Sequence, residues 1–317
     1  MGYKFLIDKI NRFIINESNF KAALLTYIFL KSIIFVSQIK KMENSKYPKF
    51  TFTWIGGLIL FAGFVVGSLA VGFFNVFWML FFKENLQYKD WFLMASNAVV
   101  FLTSIAFFDF FVVRLQTKKK LNFNFSPTNF YTYLLIFPMM LGMMFIGEFV
   151  TSQIPTTGPF FGKYYDFFTD LMSQLTYNPV VMILTAVIMA PIFEEIIFRG
   201  IIQKGLINSG MQPWKAIVLA SVIFGLVHGN PWQFVGAVML GGVLGLVYYK
   251  TKSLLLPMLL HGFNNLCSSI LILYTKNESF SEALKVSEWI ILGVGIVLFS
   301  IFYYLFMKKY KVHYSEI

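Results

Sequence analysis

Residues 178–198 read NPVVMILTAVIMAPIFEEIIF, an apolar run that carries two adjacent acids, Glu194 and Glu195, near its end. An apolar helix of about 20 residues crosses the hydrocarbon core of a bilayer. A charged side chain at mid-bilayer costs roughly 2.5–3.5 kcal/mol on insertion scales, so it usually marks a functional site or a specific pair. The run therefore predicts a membrane-spanning helix that holds functional polar groups.

Further apolar runs lie on both sides of this one and predict an all-α, polytopic transmembrane helix bundle of about eight spans. The composition agrees, since 57% of the 317 residues are hydrophobic and only 13% are charged, against about 25% in a soluble domain. The predicted spans are 52–82, 91–113, 131–150, 178–198, 214–229, 233–249, 253–274 and 287–307. A ninth run, 22–38, is interrupted by Lys31 and either spans the bilayer or lies along its interface, and residues 1–20 are predicted to form an amphipathic interfacial helix.

The formal net charge of +11 is explained by topology. Fifteen cations fall in alternate connections, against five cations and seven acids in the connections between them. The positive-inside rule places the cation-rich side, with the C-terminus, in the cytoplasm. The sequence contains no zinc finger, recognition helix or aromatic stacking platform, so no nucleic-acid partner is expected. The cation-rich connections are 40–49, 114–120, 204–215, 250–252 and 308–311.

Polar residues inside the apolar runs are few. Asp109 and Glu148 lie near the ends of their runs, where snorkelling or interhelical hydrogen bonds explain them, and His313 lies in the basic tail. The second half of the chain is different because it places three polar clusters on successive predicted helices. These clusters are Glu194-Glu195-Ile196-Ile197-Phe198-Arg199, Phe224-Gly225-Leu226-Val227-His228 and His261-Gly262-Phe263-Asn264-Asn265.

Helical spacing indicates how the first cluster works. Glu195 and Arg199 are four residues apart, so they can pair on one helix face and lower the cost of burying both charges. Glu194 points about 100° away from Glu195 and is free to face another element.

The other two clusters are predicted to meet Glu194. His228 and Glu194 lie about equally far, roughly 20 Å along their helices, from the turn at 208–213, and Phe224 lies one turn from His228. His261 and Asn265, four residues apart, present an imidazole and an amide from one helix face. These distances predict a single site inside the bundle, reached from the cytoplasmic side.

A carboxylate, two imidazoles and an amide indicate hydrolysis by an activated water. Glu194 is the candidate general base, while Asn265 and a histidine are the candidate donors to an oxyanion. No Ser or Cys follows a nucleophile-elbow pattern, and the single cysteine, Cys267, lies on a different helix face from His261.

At these residues the sequence resembles the CPBP family, the CAAX proteases and bacteriocin-processing enzymes that are also called Abi. The family motifs EExxxR, FxxxH and HxxxN match Glu194 to Arg199, Phe224 to His228, and His261 to Asn265. The resemblance covers 178–274 and implies an intramembrane endopeptidase. The predicted division of the chain has four parts: an N-terminal amphipathic segment (1–50), N-terminal helices (51–177), the catalytic core (178–274) and a last helix with a basic tail (275–317).

The resemblance also implies residue roles. Glu194, helped by His228, activates water, and His261 and Asn265 bind the oxyanion, with Glu195, Arg199 and Phe224 in support. No cofactor is expected, although Glu194, His228 and His261 also form a plausible zinc set.

The substrate class and two rival functions stay open. The expected substrate is a membrane-embedded or lipidated peptide or protein of the CAAX, bacteriocin or pheromone type, and the Lys-, Asn-, Ile- and Phe-rich composition favours a bacterial plasma membrane. The first rival is a non-catalytic member that binds a partner protein in bacteriocin self-immunity or regulation. The second is a transporter whose buried acids relay protons, although no matching pair of short broken helices is found.

Overall fold

Each of the eight apolar runs between residues 52 and 307 forms a helix in the computed structural model of the protein. The structure describes residues 47–310 except 177 and 276–278. The predicted helix 1–20, the run 22–38 and His313 lie outside the described residues. Of the described residues, those from Lys49 to Tyr310 belong to one compact unit.

The bundle contains ten helices among the described residues, here numbered in chain order. Their bounds are α1 Trp54–Phe82, α2 Asp90–Thr117, α3 Phe130–Ser152, α4 Phe161–Thr176, α5 Pro179–Asn208, α6 Pro213–Leu226, α7 Pro231–Thr251, α8 Leu255–Thr275, α9 Phe280–Leu284 and α10 Glu288–Lys309. No β-strand occurs in this part of the chain. The prediction of an all-α, polytopic bundle is therefore confirmed.

Seven of the described helices are long and apolar enough to cross a membrane, rather than the eight that the sequence predicted. The exception is α6, which has 14 residues and so a length of about 21 Å. This is short of the hydrocarbon thickness of about 30 Å. The run continues to residue 229 in the sequence, but the helix ends at Leu226 and an irregular segment follows.

A second feature is found in residues 151–177, whose prolines and glycines are typical of a loop and predict an external one. The structure places α4 inside this segment. It is an amphipathic helix, with one apolar and one charged face. Phe161 and Phe168 are half-buried, whereas Lys163 and Asp166 are exposed. The turn residues that suggested a loop, such as Gly158 with φ of 94°, lie before the helix and only determine where it begins.

Hydrogen bonds between connections show which ends of the helices lie together. At one end the backbone N–H of Phe52 donates to Gly205 O over 3.1 Å, and that of Leu254 donates to Asn124 O over 2.7 Å. The connections 49–53, 114–129, 205–212 and 250–254 therefore lie at one end, as the alternation of charge predicts. We call this the basic end, and its cytoplasmic location stays a prediction.

The opposite end, which we call the far end, is joined in the same way. Asn178 Nδ2 donates to Asp90 Oδ2 over 2.6 Å, and Ser152 Oγ donates to Glu288 Oε2 over 3.1 Å. Connections at 83–90, 152–178 and 279–288 thus meet there.

Asp109 and Glu148 both accept hydrogen bonds, and those of Glu148 join two helices, one of the two explanations that the sequence analysis offered. Asp109 accepts from Arg114 over 2.7 Å and from the backbone of Leu121 over 2.6 Å. Glu148 accepts from the backbone N–H groups of Phe280 and Ser281, over 2.8 and 3.0 Å. Glu148 therefore holds the start of α9 against α3.

Close backbone contact holds α3 against α10. A Cβ atom added to Gly295 would lie 2.8 Å from Phe145 Cβ and 2.9 Å from Gly142 O, which is closer than side chains tolerate. Gly293 lies on the same helix, but a Cβ there meets nothing within 4 Å. The two glycines form a matched pair of sites, one packed and one open.

We expect Gly295→Ala to destabilise the folded protein by about 1–3 kcal/mol, because the added methyl group separates two helices. Gly293→Ala should be neutral or stabilising by up to about 1 kcal/mol, since alanine favours helix over glycine. Thermal unfolding of both variants in the same detergent measures the difference. Equal unfolding temperatures would contradict the contact between α3 and α10.

Candidate active site

One cavity in the bundle collects the predicted site residues. It has a volume of about 450 Å³, and Glu194, His228, His261 and Asn265 all line it, together with Phe224. These side chains come from α5, from α6 and the segment after it, and from α8. The structure thus brings together the residues that the sequence assigned to one site.

Beneath the cavity, Glu195 joins two of the helices. Arg199 Nη1 donates to Glu195 Oε1 over 2.6 Å, and His261 Nδ1 donates to the same oxygen over 2.9 Å. Glu195 and Arg199 are fully buried, with 0% and 1% of each side chain exposed. A buried charge is tolerated when it is paired and hydrogen-bonded. The chain of contacts from Arg199 through Glu195 to His261 therefore fixes one imidazole against α5.

Arg199 and Gln203 also dock α5 onto α7. Arg199 Nη2 donates to Gly241 O over 3.3 Å, and Gln203 Nε2 donates to Gly245 O over 2.9 Å. The glycines repeat the i, i+4 spacing of the two side chains, and a Cβ at Gly245 would lie only 2.7 Å from Gln203 Oε1. Small residues on α7 therefore make room for the long polar side chains of α5.

Phe224 is placed among the charged and imidazole groups. Its ring centroid lies 4.6 Å from Arg199 Cζ, 5.0 Å from the His228 ring and 5.6 Å from the His261 ring. The last two contacts are edge-to-face. Phe224 thus restricts the movement of both imidazole rings. Its spacing in the sequence indicated a contact with His228 only.

His228 is oriented by the helix that precedes it, α6. Its Nδ1 atom lies 2.8 Å from the carbonyl oxygen of Phe224. A carbonyl only accepts, so Nδ1 carries the proton, and Nε2 of the neutral ring keeps a lone pair. His228 therefore presents a proton acceptor to the cavity.

Glu194 differs from its neighbour because it lines the cavity instead of being enclosed. Its side chain is 19% exposed, and Oε2 lies 3.8 Å from His261 Nε2. This distance is too long for a direct hydrogen bond. The carboxylate and the imidazole are therefore placed to contact a third group, such as a water molecule or a substrate atom.

Asn265 is oriented by an irregularity in α5. Residues Ile183–Met189 form a π-helical stretch, in which the N–H of Ala190 donates to Thr185 O. In this pattern the carbonyl of Ala186 would be paired with residue 191, but Pro191 has no N–H. Asn265 Nδ2 donates to Ala186 O instead, over 2.7 Å.

The neighbouring asparagine completes this arrangement. Asn264 Nδ2 donates to Asn265 Oδ1 over 2.9 Å, so the oxygen is occupied and the second Nδ2–H of Asn265 is left for the cavity. Gly262 allows the close approach, since a Cβ there would lie 2.9 Å from Val187 O. The π-helical stretch and α8 thus form one unit that presents an amide donor.

A family model supports the resemblance that the motifs suggested. Residues 176–267 match the model described as type II CAAX prenyl endopeptidase Rce1-like, which is under a third of the chain. This match agrees with the resemblance to the CPBP (CAAX protease) family that the three motifs carry. No curated protein and no solved structure gives a significant match to the chain.

The CPBP motifs account for the cavity only in part, because several residues around it fall outside them. Asn264, Gln203 and the glycines of α7 could have been suggested by the sequence, from adjacency to Asn265 and from the repeated i, i+4 spacing. Trp232 and α4, which contributes Phe168 to the wall, carried no such signal.

The location of the cavity corrects the prediction that the site is reached from the cation-rich side. Its wall includes Thr151 at the end of α3, Trp232 at the start of α7 and Phe280 in α9, all near the far end. Towards the basic end the bundle is filled by buried side chains such as Ile136 and Leu256. The distances along the helices were compatible with this result, since roughly 20 Å from the basic end is more than half of the bilayer.

The zinc set suggested for Glu194, His228 and His261 does not fit the donor geometry. Among the described residues, no group of three or more His, Cys, Asp or Glu side chains is arranged to hold a metal ion. No step below therefore involves a metal.

We expect Arg199→Met to destabilise the protein by about 3–5 kcal/mol, because it leaves the Glu195 carboxylate buried without its cation. Combining it with Glu195→Gln should recover part of this loss, since the second change removes the unpaired charge. Thermal unfolding of the single and double variants tests the coupling. A double variant that is less stable than Arg199→Met alone would contradict it.

Proposed function

We propose that the protein is an intramembrane endopeptidase that hydrolyses a peptide bond of a membrane-associated peptide or protein, using water activated by Glu194. The observation that supports this most is that Glu194, His228, His261 and Asn265 line a single cavity inside a mostly apolar bundle. Such groups are costly in a membrane unless they have a function. The catalytic work is assigned to 178–274.

Glu194 acts as the general base. It faces the cavity, whereas Glu195 is fully enclosed, so of these two adjacent acids Glu194 is the one that can contact a water molecule there. His228 assists, because its unprotonated Nε2 can accept a hydrogen bond from the same water and orient it. The attack forms a bond between the water oxygen and the carbonyl carbon, the carbonyl π electrons move onto its oxygen, and the water proton passes to the Glu194 carboxylate. When the tetrahedral intermediate collapses, the C–N bond breaks and protonated Glu194 returns that proton to the leaving amine.

His261 and Asn265 stabilise the oxyanion. Asn265 offers its second amide N–H. His261 in its protonated form offers Nε2–H, since Nδ1–H is held by Glu195. Preorganised donors of this kind are usually the largest single contribution to such catalysis. Glu195 and Arg199 act through His261 as positioning residues.

The cavity walls suit an apolar or lipidated substrate. Four methionines line the cavity, and methionine side chains adapt to apolar groups of different shape. They are Met140, Met144, Met172 and Met182. The substrate is a membrane-embedded peptide of the CAAX, bacteriocin or pheromone type. With the basic end and the C-terminus in the cytoplasm of a bacterial cell, it reaches the cavity from within the membrane or from the outer side.

We expect Glu194→Gln to lower kcat/KM by at least about 10²-fold with the fold unchanged, because the amide cannot take the proton. The matched control is Glu282→Gln, an exposed acid at the start of α9, which should retain full activity. The measurement is cleavage of a panel of lipidated and leader-containing peptides by purified protein in nanodiscs.

Undiminished cleavage by Glu194→Gln would overturn the assignment of the base. If the wild type cleaves no peptide and Glu194→Ala retains the full biological effect, the protein is a partner-binding member of the family instead of a protease.

Removal of metal should leave the activity unchanged, because the site residues do not form a metal-binding group. The measurement compares initial cleavage rates before and after dialysis against EDTA. A loss of activity that zinc restores would contradict this expectation and return Glu194, His228 and His261 to the role of ligands.

A further inference from the structure

His228 lies on an irregular segment at a depth where such backbone is costly. The helix α6 ends at Leu226 after 14 residues, so the segment 227–230 begins before the full thickness of the bilayer is crossed. Irregular backbone at membrane depth is tolerated only where protein or a water-filled cavity satisfies its polar groups. The groups that donate hydrogen bonds to the carbonyls at and after His228 therefore help to determine where the His228 side chain lies.

Two partners hold these carbonyls. Asn230 Nδ2 donates to His228 O over 3.1 Å, while Asn230 Oδ1 accepts from the backbone N–H of Gln233 over 2.8 Å and caps α7. The next carbonyl belongs to Gly229, whose φ of 69° turns the chain. The hydroxyl of Tyr164, 65 residues earlier on α4, donates to Gly229 O.

The helix that carries Tyr164 is fixed to the same segment by aromatic contacts. Trp232 lies at the start of α7, three residues after Gly229. Four aromatic rings of α4 surround it. Their centroids lie 4.9–6.4 Å from that of Trp232, and they belong to Phe161, Tyr164, Tyr165 and Phe168. Phe168 and Trp232 also line the cavity beside His228.

We propose that Tyr164 is a positioning residue for His228, acting through its hydrogen bond to Gly229 O, and that the packing of α4 on Trp232 places it there. The inference rests on the proposed function, since it assigns Tyr164 a role in aiming the His228 imidazole at the water. Tyr164 itself lies outside the segment 176–267 that carries the family motifs.

The hydrogen bonds that restrain His228 explain why the turn at Gly229 affects its position. Its ring is tied through Nδ1 to Phe224 O in α6, and its own carbonyl is tied to Asn230, so the remaining freedom lies in the turn at Gly229. A displacement of about 1 Å at a catalytic group can cost about 10²-fold in rate. Loss of the Tyr164 hydroxyl loosens this turn without removing any group that contacts the substrate.

The first test is kinetic. We expect Tyr164→Phe to lower kcat about tenfold, the equivalent of one lost hydrogen bond, and to change KM by less than about twofold, since ground-state binding is retained. The control, Tyr304→Phe on the exposed face of α10, should change neither. In a His228→Ala background, Tyr164→Phe should have no further effect, because the residue that it positions is absent.

An equal loss in both backgrounds would overturn the proposal, because it would show that Tyr164 acts on the fold as a whole. Unchanged kcat in Tyr164→Phe would also overturn it.

The second test needs no activity and so separates this inference from the proposed function. Hydrogen–deuterium exchange of the peptide 225–231 in nanodiscs should become faster by about fivefold in Tyr164→Phe, the effect of about 1 kcal/mol. Exchange in 236–250 should stay the same. Unchanged exchange in 225–231 would refute the positioning role even for a protein that cleaves nothing. Faster exchange in a protein that cleaves nothing would leave the role in place and refute the protease.

Discussion

The ion pair between Arg199 and Glu195 is the interaction on which the site depends. Both side chains are fully buried, so each requires the other to be tolerated inside the membrane. The shared oxygen of Glu195 also accepts from His261, which fixes α8 against α5. The ion pair therefore has two roles. It makes the burial of both charges tolerable, and it orients the His261 imidazole that lines the cavity.

The helix surfaces around this pair are shaped to admit it. Gly241 and Gly245 on α7 leave space for the side chains of α5 and accept their hydrogen bonds. Pro191 leaves a carbonyl of α5 without its backbone donor, and Asn265 supplies one. In both cases a backbone carbonyl of one helix accepts a hydrogen bond from a polar side chain of a neighbouring helix. A carbonyl left without a donor inside the membrane would be costly.

Much of this arrangement could be predicted from the sequence, because the rules that govern it are local. The i, i+4 spacing of Glu195 and Arg199 predicts their pair, and helix lengths predict that Glu194 and His228 meet. The other features of the arrangement cannot be predicted from the periodicity of apolar residues. The early end of α6, the amphipathic α4 within a segment rich in turn residues, and the contacts of α4 with Trp232 arise from tertiary packing. So does the position of the cavity near the far end, because it reflects which half of the bundle the core fills.

The central claim is that this packing keeps a proton on Nδ1 of both imidazoles, with Nε2 of each ring facing the cavity. The chain has three histidines, so nitrogen NMR of protein labelled with ¹⁵N-histidine, with His313→Gln to remove the third signal, tests it directly. We expect protonated Nδ1 in both rings and an unprotonated Nε2 in His228. A His228 ring that carries its proton on Nε2 and has an unprotonated Nδ1 would contradict the account.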